Sequence, residues 1–248
     1  MINISIVIPL RIDSLEREAN LQCVLQHLLR IECVYIELLE ADVKRRFFFP
    51  TNNRIRYRFI YDEEPVFYRT RYLNLLLRNA RYPIVGVWDA DVIIPEKQLL
   101  QAINIVYKGY VMCFPYDGDF RFLNAEESKA VRNDMEILGK NQGARLLGRP
   151  SVGGAFVVNR DQYLAVGGEN EGFYGWGPED AERVKRMEIL ELPVARVNGS
   201  LYHLYHRQTP DVGINDEKRR QYNQKVLLHI CRMDRLELSK YIEKYMLR

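Results

Sequence analysis

An α/β fold, with a mainly parallel central sheet flanked by helices, is what this 248-residue sequence predicts. Three observations carry that prediction. Apolar runs of strand length, such as residues 4–9 and 84–88, alternate with stretches whose apolar residues recur at helical spacing. Several of these runs are unbroken rather than alternating in polarity, as strands covered on both faces require. Residues suited to chemistry also gather where one such run ends, in the segment Trp88-Asp89-Ala90-Asp91.

The elements follow in order. ISIVIP, residues 4–9, is closed by a proline and reads as a buried first strand. Asp13 or Ser14 can cap the next helix, whose Leu21, Val24, Leu25, Leu28 and Leu29 lie on one stripe. Residues 34–40 form a second strand, and residues 55–61, alternating basic and apolar, a third. A helix over 71–80 turns Leu73, Leu76 and Leu77 inward, and 84–88 is the fourth strand. Pro95 opens another helix, because its fixed φ suits a first turn. Beyond Lys108 the pattern loosens. Residues 110–116 and 153–159 read as strands flanking a helix near 125–138, followed by a helix over 179–190 and a short strand at 194–197. From Asp216 almost to the end the sequence reads as helix, with Val226, Leu227, Ile230, Met233 and Leu236 as its apolar positions. No repeat, low-complexity tract or proline-rich linker divides the chain, so a single domain is expected.

Composition narrows the classes. A chain this long buries a sizeable core, and 47% hydrophobic with 28% charged residues is ordinary for a soluble globular protein. A net charge of +3 gives no global argument for nucleic acid. Basic residues do cluster locally at Lys44, Arg45, Arg46, Arg54, Arg56, Arg58, Arg69 and Arg71, as a solvated face or as a contact for phosphate or anionic lipid. No apolar run approaches the roughly 18 residues of a membrane span, and the first strand is too short for a secretory signal. Cys23, Cys33, Cys113 and Cys231 are scattered, which argues for reduced thiols rather than a disulfide framework or a zinc site. The expected address is the cytoplasm.

The chemistry-bearing residues then fall into place. In an open α/β sheet ligands bind beyond the carboxyl ends of the strands, where Asp89 and Asp91 stand. Two acids separated by one small residue can hold a divalent cation, and the cation a diphosphate. A second Asp-x-Asp, Asp117-Gly118-Asp119, lies in a glycine-containing stretch and reads as an ordinary turn. FYGWGPEDAE, residues 173–182, adds turn glycines around Trp176, whose indole can stack on a sugar ring, and the acids Glu179 and Asp180. Both acids suit a helix start, Asp180 as a cap and Glu179 as first-turn charge. That role alone leaves Trp176 and its glycines without a purpose. His203 and His206 are candidates to complete a metal site. Three residues apart, they point in different directions along an extended strand, so a tight turn is needed for both to bind. His27 and His229 fall in amphipathic helices and read as structural. Arg11 and Arg69, each where a strand ends or a helix begins, can meet phosphate, and Arg11 a uracil carbonyl; surface charge is the plainer reading of both. Together these features predict an enzyme that moves a sugar off a nucleotide diphosphate.

On these residues the chain resembles the GT-A-fold glycosyltransferases, most closely the catalytic domain of β-1,4-galactosyltransferases and their bacterial relatives. The resemblance runs from residue 4 to about 210, through Pro9-Leu10-Arg11, Phe67-Tyr68-Arg69-Thr70 with Leu73-Asn74, Asp89-Ala90-Asp91, Val152-Gly153-Gly154-Ala155, residues 174–181 and the histidine at 203 or 206. It implies that Pro9, Arg11, Phe67, Arg69, Asp89 and Gly154 hold a UDP-sugar donor. It implies that Asp91, with Asp89 near the metal or ribose and His203 or His206, binds Mn²⁺ or Mg²⁺. Trp176 then contacts donor and acceptor sugars, Glu179 bonds sugar hydroxyls and Asp180 is the base of an inverting transfer of galactose or N-acetylgalactosamine. Family members selective for galactose carry a tyrosine two residues before the glycine pair; Ser151 stands there, leaving room for an N-acetyl group. The resemblance divides the domain into a nucleotide-binding half at 1–108, an acceptor and catalytic half at 109–215 and a C-terminal helical extension at 216–248. A saccharide or lipid-linked saccharide is the expected acceptor, and nucleic acid is not an expected partner. The extension packs on the domain or touches the inner membrane leaflet. Competing readings are a non-catalytic carbohydrate-binding or scaffold protein of the same fold, and a nucleotidyltransferase, for which the stretch after the first strand lacks glycines.

Overall fold

The first strand, β1 (Ile4–Leu10), is buried throughout and has a parallel neighbour on each side, as its unbroken apolar run requires. β2 (Val34–Asp42) pairs with it from Ile4 opposite Val34 to Leu10 opposite Glu40, and β3 (Ile55–Tyr61) closes that edge. On the other side β4 (Ile84–Trp88) pairs only as far as Val7. Pro9, which has no N–H to give, therefore lies beyond the reach of the β4 ladder. The computed structural model describes residues 2–138, 142–146, 148–175, 177–207 and 217–247.

Between these strands run α1 (Leu15–Leu29) and α2 (Arg69–Asn79), both packed against the sheet. Of the two candidate caps for α1 it is Ser14 that accepts the Arg17 N–H, at 3.2 Å, while Asp13 pairs with the Arg17 side chain. After β4 the chain forms a two-residue strand, β5 (Val92–Ile93), then α3 (Glu96–Tyr107) behind Pro95. β6 (Met112–Phe114), β7 (Phe120–Phe122), α4 (Ala125–Asn133), a 3₁₀ turn at Met135–Ile137 and β8 (Ala144–Arg145) follow. The remainder comprises β9 (Ala155–Asn159), α5 (Arg160–Ala165), α6 (Glu179–Ile189), β10 (Val194–Arg196), β11 (Leu201–His203), α7 (Glu217–Cys231) and α8 (Arg235–Tyr245).

Two sheets result. The larger has the order β10-β6-β9-β4-β1-β2-β3, parallel except for β9, which runs antiparallel to both of its neighbours. The smaller, β5-β11-β7-β8, is built from strands of two or three residues, too short to leave a periodic trace in the sequence. The turn carrying Asp89 and Asp91 is where the chain passes from one sheet to the other. Among the described residues no helix is long and apolar enough to cross a membrane.

Two expected helices are corrected. The one near 125–138 stops at Asn133, because Asp134 is extended, and only the 3₁₀ turn follows. The C-terminal stretch is two helices rather than one. Asp234 accepts the Glu237 N–H at 2.9 Å and Glu237 accepts the Asp234 N–H at 3.0 Å, a capping box that starts α8 afresh. The break lets Ile230 of α7 and Leu238 and Ile242 of α8 meet Leu190 and Met246 in a second small core. Asp234→Ala should lower stability by about 1 kcal/mol, read as a shift in the urea midpoint at unchanged slope.

Candidate active site

The Asp89–Asp91 turn is held by backbone on every side. Trp88 is fully buried, and its indole N–H spans the turn to donate to the Val92 carbonyl at 3.0 Å. Asp89 N–H donates to the Gly154 carbonyl at 2.9 Å, tying the turn to the start of β9. Beyond it β5 pairs antiparallel with β11, setting His203 opposite Val92, and Leu204 N–H donates to the Asp91 carbonyl at 2.8 Å. That ladder carries His203 to the Asp91 carboxylate, and the loop after it brings His206 to the same group. His203 Nε2 lies 3.4 Å from Asp91 Oδ1, and His206 Nε2 lies 3.3 Å from Oδ2. β11 ends at His203, so strand alternation does not govern His206, and the loop returns its ring to the same side.

One ligand atom from each of Asp91, His203 and His206 falls within 4.8 Å of the others. A carboxylate with two imidazoles suits a divalent transition metal, so the donor set fits the cation that the resemblance implies. Burial opposes charge on Asp91, yet His203, His206 and Arg17, whose Nη1 is 3.6 Å away, hold its carboxyl well below the usual range. His206 is shifted upward, chiefly by its hydrogen bond to Asp91 and against the pull of burial. Binding a cation would displace the proton so stabilised.

Arg69 opens α2 and donates to Asp89 Oδ1 at 2.5 Å. Its helix is fastened to the 169–173 loop: Thr70 Oγ1 donates to the Phe173 carbonyl at 3.0 Å, while the Asn74 amide donates to the Glu169 carbonyl at 2.9 Å and accepts its N–H at 2.8 Å. Burial works against the Arg69 charge, but Asp89, Asp180, Glu179 and Glu169 more than compensate and raise its pKa. Its buried Nη1 has no hydrogen-bond partner among the described residues, a donor left over for an anionic ligand. Asp89 itself is shifted upward, by burial first and then by Asp91 and Asp180, with Arg69 opposing.

Asp180 stands in the first turn of α6, where Arg183 Nη1 donates to its Oδ1 at 2.8 Å. Arg183 is fixed in turn. Its Nη2 lies 2.7 Å from Glu169 Oε2, both side chains are 1% exposed, and its guanidinium stacks 4.1 Å from the Phe156 ring centre. The other Asp180 oxygen lies 2.7 Å from where a Cβ at residue 153 would stand, so any larger residue there would displace that carboxylate. Gly154 has φ +82°, and a Cβ there would sit 2.9 Å from Leu201. The glycine pair thus lets α6 and β11 approach one strand end. Glu179 is buried beside Asp180, and burial, with the neighbouring Asp180 charge, pushes it up to about 8. Both effects favour its neutral form.

Other predicted residues are placed differently. The Arg11 guanidinium lies 5.5 Å from the Phe67 ring centre and gives its N–H groups to the Ala41 carbonyl, the Glu64 carbonyl and Asp62, each at 2.8 Å. It braces the loop after β3. Pro9 is buried in β1. Asp117 and Asp119 satisfy turn amides and pair with Arg121, Arg145 and Ser200, as an ordinary turn does. Trp176 lies outside the described residues. Sequence reasoning missed Arg183, Glu169 and Tyr116, whose hydroxyl donates to the Gly153 carbonyl at 2.6 Å. Only Arg183 left a signal, being one helical turn after Asp180.

A parallel-rich sheet whose fourth strand ends in a carboxylate turn faced by two histidines defines the class: the fold is that of the GT-A glycosyltransferases. In sequence the chain is similar to the β-1,4-galactosyltransferases over part of its length. A family model described as the N-terminal domain of galactosyltransferase matches residues 137–207, which include both glycines, Glu179, Asp180 and both histidines. β-1,4-Galactosyltransferase 4 of Homo sapiens is 25% identical over 129 residues, 50% of this chain and 36% of that protein. Its Cricetulus griseus counterpart is 25% identical over 109 residues, 42% of this chain and 31% of that protein. The matched stretch thus spans about a third of these relatives. Among solved structures, a Drosophila β-1,4-galactosyltransferase 7 mutant in complex with manganese, UDP-Gal and xylobiose superposes with TM-score 0.53 at 17% identity, covering 89% of this chain and 80% of that one. GalNAc-T7 with UDP, GalNAc and Mn²⁺ superposes with TM-score 0.62 at 11% identity, covering 92% and 48%.

The Glu179 shift has a sign that can be checked. Its folded pKa, about 8, lies above its ordinary value of 4.5, so between those limits the folded protein holds more protons than the unfolded one. Stability should therefore fall as pH rises through that window. Glu179→Gln cannot ionise and should lose this slope: taken as equal to the parent near pH 5, it should be more stable by about 4 kcal/mol at pH 8.5 in urea titrations.

Proposed function

We propose that the protein is a metal-dependent, inverting glycosyltransferase that moves galactose or N-acetylgalactosamine from a UDP-sugar to a saccharide acceptor. The observation that carries this reading is the juxtaposition of these groups at one strand end. The Asp91–His203–His206 cluster adjoins Asp89, whose N–H meets Gly154, and Asp180 lies on the adjacent Gly153. A cation site and an oriented carboxylate thus share one strand end. Manganese in both superposed structures, with UDP-Gal in one and UDP and GalNAc in the other, supports a metal-dependent, UDP-sugar reading.

Asp91, His203 and His206 would hold Mn²⁺, which supplies charge neutralisation for a departing diphosphate. Arg69 has a spare N–H for the same anion. Asp180 takes the proton of the acceptor hydroxyl as that oxygen bonds to the anomeric carbon, and the bond from that carbon to UDP breaks on the opposite face. Arg183 keeps one carboxylate oxygen of Asp180 engaged, which leaves the other for the proton. Glu179, protonated, can donate a hydrogen bond to a sugar hydroxyl.

Asp180→Asn should lower transfer by about 10²- to 10⁴-fold while UDP still binds with Mn²⁺ in calorimetry. Full turnover in that variant removes Asp180 from the mechanism. Asp91→Asn should instead abolish the Mn²⁺-dependent part of UDP binding. Ser151 lies beside the glycine pair, its Oγ 3.5 Å from Gly153 N, and its small side chain supports acceptance of a donor with an N-acetyl group. Rates with UDP-N-acetylgalactosamine should match or exceed those with UDP-galactose; a strong preference for galactose refutes that donor choice.

A further inference from the structure

The family model ends at residue 207, yet a helix beyond it reaches the candidate site. Asn223 of α7 is fully buried, and its amide donates to the Tyr174 carbonyl at 3.3 Å. One turn earlier, the Arg219 guanidinium lies 4.7 Å from the centre of the Tyr174 ring. The two glycines of this segment are fitted to the same helix. A Cβ at residue 177 would stand 2.6 Å from the Asn223 amide nitrogen, and one at Gly175, whose φ is +74°, would stand 3.3 Å from Arg219 Nη1. From the opposite side, Val66 is 2.8 Å from that same Gly175 position, and the Tyr174 hydroxyl donates to Glu64 at 2.9 Å. Glu64 belongs to the loop that Arg11 braces.

The backbone leading into Glu179 and Asp180 is therefore gripped between the loop after β3 and α7. We infer that Arg219 and Asn223 are positioning residues for sugar transfer: they set Tyr174, Gly175 and Gly177, and through them the first turn of α6, against the acceptor. This rests on the glycosyltransferase reading, and it makes α7 part of the working site rather than an appendage. Neither residue touches Asp91, His203, His206 or Arg69 in the contacts described above, so donor and metal binding should not depend on them.

The test uses the full-length protein with Arg219→Ala, Asn223→Ala and Arg219→Lys. Each is measured for UDP binding with Mn²⁺, for transfer to a saccharide acceptor, and for hydrogen exchange in peptides covering residues 172–178. Both alanine variants should keep UDP affinity within about twofold yet lose about 10- to 100-fold in acceptor kcat/KM, the cost of a misplaced catalytic group. Exchange over 172–178 should quicken by about tenfold, with other regions unchanged. Arg219→Lys, which retains a cation over the Tyr174 ring, should recover most of the loss. Unchanged transfer in both alanine variants overturns the inference, as does a loss of UDP affinity equal to the loss of transfer. If the parent protein moves no sugar from any UDP donor, the glycosyltransferase reading falls, and the exchange data still decide whether α7 holds the segment.

Discussion

Four carboxylates, from Asp89, Asp91, Glu179 and Asp180, crowd one strand end, and containing their mutual repulsion is the constraint on which the rest of the site depends. The protein answers each differently. Asp91 is surrounded by His203, His206 and Arg17 and stays ionised despite burial. Asp89 has Arg69 as its direct partner. Asp180 is held by Arg183, and Glu179, which pairs with no cation among the described residues, is pushed by burial and the Asp180 charge toward its neutral form. A bare cluster of like charges at this depth would cost several kcal/mol, so these partners are conditions of folding as much as of chemistry.

Arg183 shows how that containment is built. It is one of the largest fully buried side chains, an unusual place for a guanidinium. Glu169, the Tyr163 hydroxyl and the Phe156 ring satisfy it on three sides before it reaches Asp180. Glu169 is in turn fixed by Asn74, on the helix that starts with Arg69. The cationic side of the site and the carboxylate side therefore share one buried polar network, and a disturbance to Glu169 reaches both.

Much of the large sheet was legible in the sequence, because β1, β2, β4 and β9 are long enough and apolar enough to declare themselves. Asp89 and Asp91 were legible for the same reason, since they directly follow such a run. The small sheet was not, as strands of two or three residues carry no period. The break between α7 and α8 was written in Asp234 and Glu237, but apolar spacing continuing through Met233 and Leu236 masked it. The pairing of Arg183 with Glu169 could not be read, for nothing local announces a pair that folding brings together from 14 residues apart. Arg11 illustrates the converse: a free-looking arginine whose N–H groups are spent on backbone carbonyls and Asp62.

Within the small sheet, β5 and β11 share only two residue pairs, Tyr202 with Ile93 and His203 with Val92. The ladder thus sets the position of the His203 backbone relative to Asp91, and the Phe120 and Phe122 rings pack beside its imidazole. Such a gauge tolerates changes of size nearby but not of count. A single residue inserted into β11 would rotate His203 to the far face of the sheet and leave Asp91 buried opposite a different side chain.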